Sequence, residues 1–348
     1  MNDRAYPLMA FVIVLILSAL ACLACAADIP RLTGPFGLTP GPKETELGRA
    51  LFFDPRLSQN GTVSCSTCHN PQFGWSDGQP QAVGILGQVG TRNSPTIINA
   101  SYSPHQFWDG RVIATESQAL LPLSNPIEMG QQSEADVVGR LRLIPGYVSL
   151  FAQVYGVDVT SGSPITGVNL ARAIASFETS ITSFRAPIDA YLDGNVNALT
   201  PDERVGFGIF QRSGCMNCHP APHYTTHLFA NSGSEFATTF QVRDQGRAGV
   251  AGIPDNASTI RAFKVPTLRS IGRSAPFMHN GQMPDLARVV RHYSTGASNY
   301  RGQRDRFLDP RIKPLNLTLE QEGYLVRFLS RAFEGADYPM VDSPRLPE

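Results

Sequence analysis

Residues 64–70 read SCSTCHN, and CMNCH returns at 215–219, so that Cys65, Cys68 and His69 are matched by Cys215, Cys218 and His219. Cys-x-x-Cys-His is the attachment signature of c-type haem: the two thiols become thioethers and the adjacent imidazole becomes the proximal iron ligand. Two disulfides, which would leave both histidines without a purpose, or a Cys/His zinc site would be the other use of such cysteines. Two c-type haems are therefore expected.

The remaining cysteines sharpen this. Of six, Cys22 and Cys25 lie in an N-terminal stretch where Arg4 precedes an apolar run from Leu8 to about Leu23, ending in Ala24-Cys25-Ala26. That pattern predicts a secretory signal at 1–26, with a mature protein beginning near Ala27 in the periplasm. An uncleaved anchor is the alternative. A lipoprotein is disfavoured, because neither Cys22 nor Cys25 has a Leu three residues before it. Every cysteine beyond residue 26 then belongs to one of the two haem motifs. Lys plus Arg and Asp plus Glu both count 29 among 348 residues, so charge gives no reason to expect nucleic acid or an anionic membrane surface as a partner.

The spacing predicts a mainly α protein with two cytochrome c-like haem domains and long loops. The domains are expected at 27–192 and 193–348, with 150 residues between Cys65 and Cys215. Thr200-Pro201-Asp202-Glu203 and Thr318-Leu319-Glu320-Gln321 are capping boxes. Leu170, Ile174, Phe177 and Ile181 form a helical stripe, and Leu286, Val289, Val290 and Tyr293 form another. No run alternates like a strand.

A haem bound by one His keeps a second axial position, whose occupant separates electron transfer from chemistry. Here the residues carry a resemblance. ELGRALFFDPRLSQNGTVSCSTCHNPQFGWSDG, GTRNSPTIINA, QFWDGR, ESQALLPLSNPIEMG, GIFQRSGCMNCHPAP, FKVPTLRSIGRSAPFMHNG and DLARVVRHYSTGA, in that order over about 44–335, are similar to the bacterial dihaem cytochrome c peroxidase and MauG family. The resemblance implies an enzyme that reacts with hydrogen peroxide at the N-terminal haem, with Gln118, Pro122 and Glu128 in the distal pocket. Glu128 would be its general acid/base. Trp108 would relay electrons between the haems, and Asn93 with the carbonyls of Ser274 and Pro276 would hold a calcium ion. A redox-protein donor or a protein substrate is the implied partner.

Two departures from the family pattern bear on function. The removable distal His of many family peroxidases falls on Ile85, and the loop AVGILGQVGTRN contains no His, which implies an N-terminal haem open at rest. Where a Met commonly binds the second iron, seventeen residues after Pro276, this chain has Tyr293, the axial ligand of MauG-like members. A phenolate favours ferric iron where a thioether favours ferrous. Met278 and Met283 are the fallback ligands. Of the other histidines, His105, His223, His227, His279 and His292 are expected to be structural or on the surface, with His279 the one most expected to matter. A conventional cytochrome c peroxidase, a non-enzymatic dihaem electron carrier and a dihaem sensor remain as alternatives. The carrier requires strong ligands on both irons, and no candidate near Ile85 supplies one.

Overall fold

The structure, a computed structural model, describes residues 40–156, 162–239 and 244–348. The expected signal at 1–26 lies outside them. The helices are α1 (Pro42–Phe53), α2 (Cys65–Cys68), α3 (Thr115–Ser124), α4 (Glu134–Arg142), α5 (Pro145–Tyr155), α6 (Gly167–Ser180), α7 (Pro187–Leu192), α8 (Pro201–Arg212), α9 (Ser234–Thr239), α10 (Leu286–Ser294) and α11 (Leu319–Arg331). The two-residue strands β1 (Phe229–Ala230) and β2 (Phe263–Lys264) pair antiparallel. No described helix is long and apolar enough to cross a membrane.

The helix signals hold. Thr200 and Thr318 each cap with the reciprocal bonds of a capping box, through Glu203 and Gln321. The stripe Leu170, Ile174, Phe177 and Ile181 is buried with Leu47, Leu51, Phe52, Trp75 and Phe151 in one apolar core. A second core gathers Phe207, Phe210, Tyr224, Leu325, Phe328 and Phe333. The first core takes its residues from 47–181 and the second from 186–333. The chain end returns to the first: Tyr338 and Val341 pack on it, and the Pro339 carbonyl accepts a bond from Trp75 Nε1 at 3.1 Å.

In each core two helices cross at a glycine. A Cβ on Gly48 would stand 1.8 Å from the Ala173 carbonyl oxygen, and one on Gly206 would stand 2.3 Å from that of Tyr324. Backbone atoms cannot step aside, so Gly48→Ala should destabilise by about 1–3 kcal/mol. Gly139, with nothing within 4 Å of such a Cβ, is the control: Gly139→Ala should stabilise by about 0.4–1 kcal/mol through the unfolded chain. Denaturant midpoints of the two variants check both signs.

The second core is also pinned electrostatically. Burial alone would raise the pKa of Glu203, but hydrogen bonds from Arg331 and from Thr200 outweigh it and hold the carboxyl below its ordinary value. A group depressed in the folded state contributes stability that is present above its unfolded pKa and lost as pH falls through the folded one. Acid titration of wild type against Glu203→Gln should therefore show the difference between them closing below about pH 4.3.

An internal repeat organises the molecule. Between residues 95 and 124 a shift of 171 reproduces the structure element by element. Thr96 Oγ1 donates to the Gly74 carbonyl at 2.6 Å, as Thr267 Oγ1 donates to that of His223 at 2.7 Å. Asn99 and Ser270 both have φ in the left-handed region, as do Phe107 and Met278. The bridge Gln106↔Val112 recurs as Phe277↔Met283, and α3 recurs as α10. The halves meet reciprocally: Asn93 N donates to the His279 carbonyl and Lys264 N to that of Trp108, each at 2.8 Å.

Candidate active site

Both Cys-x-x-Cys-His segments open onto one cavity of about 1550 Å³, larger than the roughly 300–1,000 Å³ of an ordinary small-molecule site. Cys65, Cys68, His69, Cys215, Cys218 and His219 all line it. The two motifs are set alike. Ser64 caps the turn that carries Cys65 and Cys68. His69 Nδ1 lies 3.2 Å from the Trp75 carbonyl, and His219 Nδ1 lies 2.9 Å from that of Tyr224. Nδ1–H bound to a carbonyl fixes the tautomer and leaves Nε2 as the ligating nitrogen.

The donor set fits two covalent haems. All four cysteines are free, and burial pushes the Cys68 thiol up to about 12 and that of Cys215 to about 11. They are therefore held as thiols, the form from which thioethers to haem are made. Burial lowers both proximal imidazoles, His219 to about 4, so both are neutral, as an iron ligand must be. Among the described residues no cluster of three or more His, Cys, Asp and Glu stands ready for a metal ion.

Around the first motif, Gln118 and Pro122 lie one turn apart on α3, and both line the cavity with Glu128. Asn125 Nδ2 donates to Glu128 Oε1 at 2.9 Å, and Ile85 N donates to the Glu128 carbonyl at 3.0 Å. Burial raises the Glu128 carboxyl above its ordinary pKa, against the opposing pull of the Arg111 charge and the Asn125 bond. Loop 81–92 passes so near that a Cβ on Gly84 would stand 1.8 Å from the Ile127 carbonyl. Ile85 itself is buried in the first core, with its Cδ1 against Gly130, and does not line the cavity. The cavity-lining residues of this loop are Gln81, Ala82, Gly84, Gly90, Thr91 and Arg92, none of which offers an imidazole or thioether.

Around the second motif, Leu286, Val289, Val290 and Tyr293 turn one face of α10 into the cavity. The stripe read in the sequence is thus cavity wall as well as core. Burial pushes the Tyr293 phenol up; a ferric ion at its oxygen would reverse that by favouring the phenolate. Under the repeat, Tyr293 is the counterpart of Pro122. Of the fallback ligands, Met278 lines the cavity, whereas Met283 is buried outside it.

Between the motifs, Trp108 lines the cavity and donates through Nε1 to the Asn93 carbonyl at 2.9 Å. Its repeat counterpart is His279, which is buried and stacks on Phe263 with ring centroids 3.6 Å apart. Asn93, Ser274 and Pro276 also face the cavity. Asn93 Nδ2 is committed to the Gln79 carbonyl at 2.7 Å, which leaves Oδ1 as the acceptor of that amide. His292 is structural, bound through Nε2 to the Ser232 carbonyl at 2.8 Å. His223 and His227 are not surface residues: both line the cavity, their ring centroids 5.9 Å apart.

Three features escaped the sequence reading. Trp75, given no role there, carries the carbonyl that orients His69. Glu178 on α6 lines the cavity, with burial, reinforced by Glu116, pushing its carboxyl up to about 8. Its signal was a carboxylate eight residues after Leu170 and four after Ile174, hence on the buried face of α6. The repeat escaped because 92–111 and 263–282 share only Pro, Thr, Ser and Gly at matched positions.

Comparison with known proteins agrees. The family model described as di-haem cytochrome c peroxidase matches residues 42–197. The methylamine utilization protein MauG of Methylorubrum extorquens is 36% identical over 308 residues, covering 88% of this chain and 82% of that one. The cytochrome c551 peroxidase of Nitrosomonas europaea is 37% identical over 246 residues, 70% of this chain and 71% of that one. Among solved structures, a MauG-like protein associated with microbial copper homeostasis superposes with a TM-score of 0.73 at 28% identity, covering 85% of this chain and 90% of that one.

Proposed function

The chain belongs to the di-haem cytochrome c peroxidase and MauG family, and from that premise we propose that it is an exported, MauG-like peroxidase that oxidises a substrate through its second haem. The observation that carries this is the single cavity, with Gln118 and Glu128 beside the first motif and Tyr293 beside the second. The haems, one in each of the regions 27–192 and 193–348, would supply the sites for peroxide reduction and for electron storage. The rest is the work of side chains.

Peroxide reduction to water consumes two electrons and two protons and requires one proton to move between the two peroxide oxygens. Glu128, held by Asn125 and retaining its proton to higher pH than an ordinary carboxyl, is placed to accept and return it. Gln118 would orient peroxide by hydrogen bond, and Pro122 keeps that wall of the cavity apolar. Trp108 provides an aromatic step between the motifs. Tyr293 would hold the second iron, and Asn93 Oδ1 with the Ser274 and Pro276 carbonyls would hold calcium. The two electrons come from a redox protein or from a protein substrate.

The absence of a loop ligand at Ile85 makes the test direct. The as-isolated ferric protein should bind cyanide and react with hydrogen peroxide in stopped-flow without prior reduction. A conventional gated peroxidase, the second reading, would react only after one haem is reduced, and a carrier with both irons blocked would do neither.

A further inference from the structure

The repeat relates the Asn93, Ser274 and Pro276 position to a second place in the molecule. Adding 171 to 93 gives Lys264; subtracting it from 274 and 276 gives Ser103 and His105. These three do meet. Lys264 Nζ donates to the His105 carbonyl at 2.8 Å and to Ser103 Oγ at 3.3 Å. The sequence offset is the same and the origin reciprocal: in each case one half supplies the single side chain and the other half a turn three residues long, although Lys264 meets Ser103 through Oγ, the Ser103 carbonyl being bound by Gln106 Nε2.

The surroundings favour a single fixed charge there. Lys264 lines the cavity, its Nζ donating to two oxygens of the 103–105 turn, and burial lowers its pKa to about 8. No carboxylate among the described residues offsets it. Its neighbours His105 and His227 are both pushed down by burial and by the Lys264 charge, so they stay neutral and add no charge of their own. At the mate position, Asn93, Ser274 and Pro276 line the same cavity, with Asn93 Nδ2 bound to the Gln79 carbonyl. An amide oxygen and backbone carbonyls are the kind of ligand that calcium takes.

We propose that Lys264 is a built-in cation: its ammonium holds the 103–105 turn as a bound calcium ion would hold the 274–276 turn, so that each half carries one cation at equivalent places, one covalent and one dissociable. The inference rests on the calcium reading above. It makes Lys264 a positioning residue for the stretch that leads into Trp108, and it predicts that the two sites can be exchanged by exchanging their side chains.

The test measures calcium per chain by elemental analysis on haem-loaded protein, after equilibration with calcium chloride and gel filtration, and the thermal midpoint with and without chelator. Wild type should hold one calcium and lose thermal stability to chelator. Lys264→Asn should hold two. Asn93→Lys should hold none, with a midpoint indifferent to chelator. The variants act in opposite directions, so if one fails to fold the other still decides. Lys264→Asn remaining at one calcium, or Asn93→Lys still depending on chelatable calcium, overturns the inference and leaves the calcium reading standing. Wild type without calcium overturns the calcium reading, and the inference with it.

Discussion

Glu128→Gln should slow the reaction of the ferric protein with hydrogen peroxide by roughly 10²–10⁴-fold, the usual contribution of a positioned acid/base group. Cyanide binding should be retained, because the amide keeps the shape of the pocket and the Asn125 contact. The pH profile supplies a second readout. Only the ionised carboxyl can take a proton from peroxide, and burial raises the pH at which Glu128 ionises. The wild-type rate should therefore fall with decreasing pH from above the ordinary carboxyl range, and Glu128→Gln should lose that limb. A Glu128→Gln enzyme with wild-type rate and profile would remove the carboxyl from the chemistry and turn attention to Glu178, the other raised carboxyl in the cavity.

Tyr293→Met should raise the reduction potential of the second haem by on the order of a few hundred mV, since axial ligands span about 0.8 V across haem proteins. The cause is charge: a phenolate stabilises ferric iron, and a thioether stabilises ferrous. Low-temperature EPR of the ferric protein provides the complementary check. Wild type should show a high-spin signal from the open haem beside a low-spin one, and Tyr293→Phe should alter only the low-spin signal. Two low-spin signals indifferent to residue 293 would return Met278, which also lines the cavity, to consideration and favour a gated peroxidase.

How much of this was legible beforehand depends on the range of the interaction concerned. Covalent and local requirements are written in contiguous residues. Cys65-x-x-Cys68-His69 and its copy, the capping boxes at Thr200 and Thr318, and the stripe ending at Ile181 need only neighbours within a turn or two, so the sequence alone specified two haem motifs on a helical scaffold. The Tyr293 stripe was equally readable as a pattern, but a stripe does not say whether its face meets core or cavity. That follows from α10 packing against a space shared with a motif some seventy residues earlier.

The tertiary structure decided what depends on distant backbone. Trp75 and Tyr224 became orienting groups through their carbonyls, which no side-chain pattern encodes. Ile85 turned into the core because Gly84 allows the loop to lie against residue 127. The repeat, with Lys264 set in the mate of the Asn93 position, was hidden in sequence because it is preserved in φ angles and backbone hydrogen bonds, to which most side chains are indifferent. Residue identity fixed which chemistry the chain carries, and the convergence of two divergent halves on one cavity fixed where that chemistry meets.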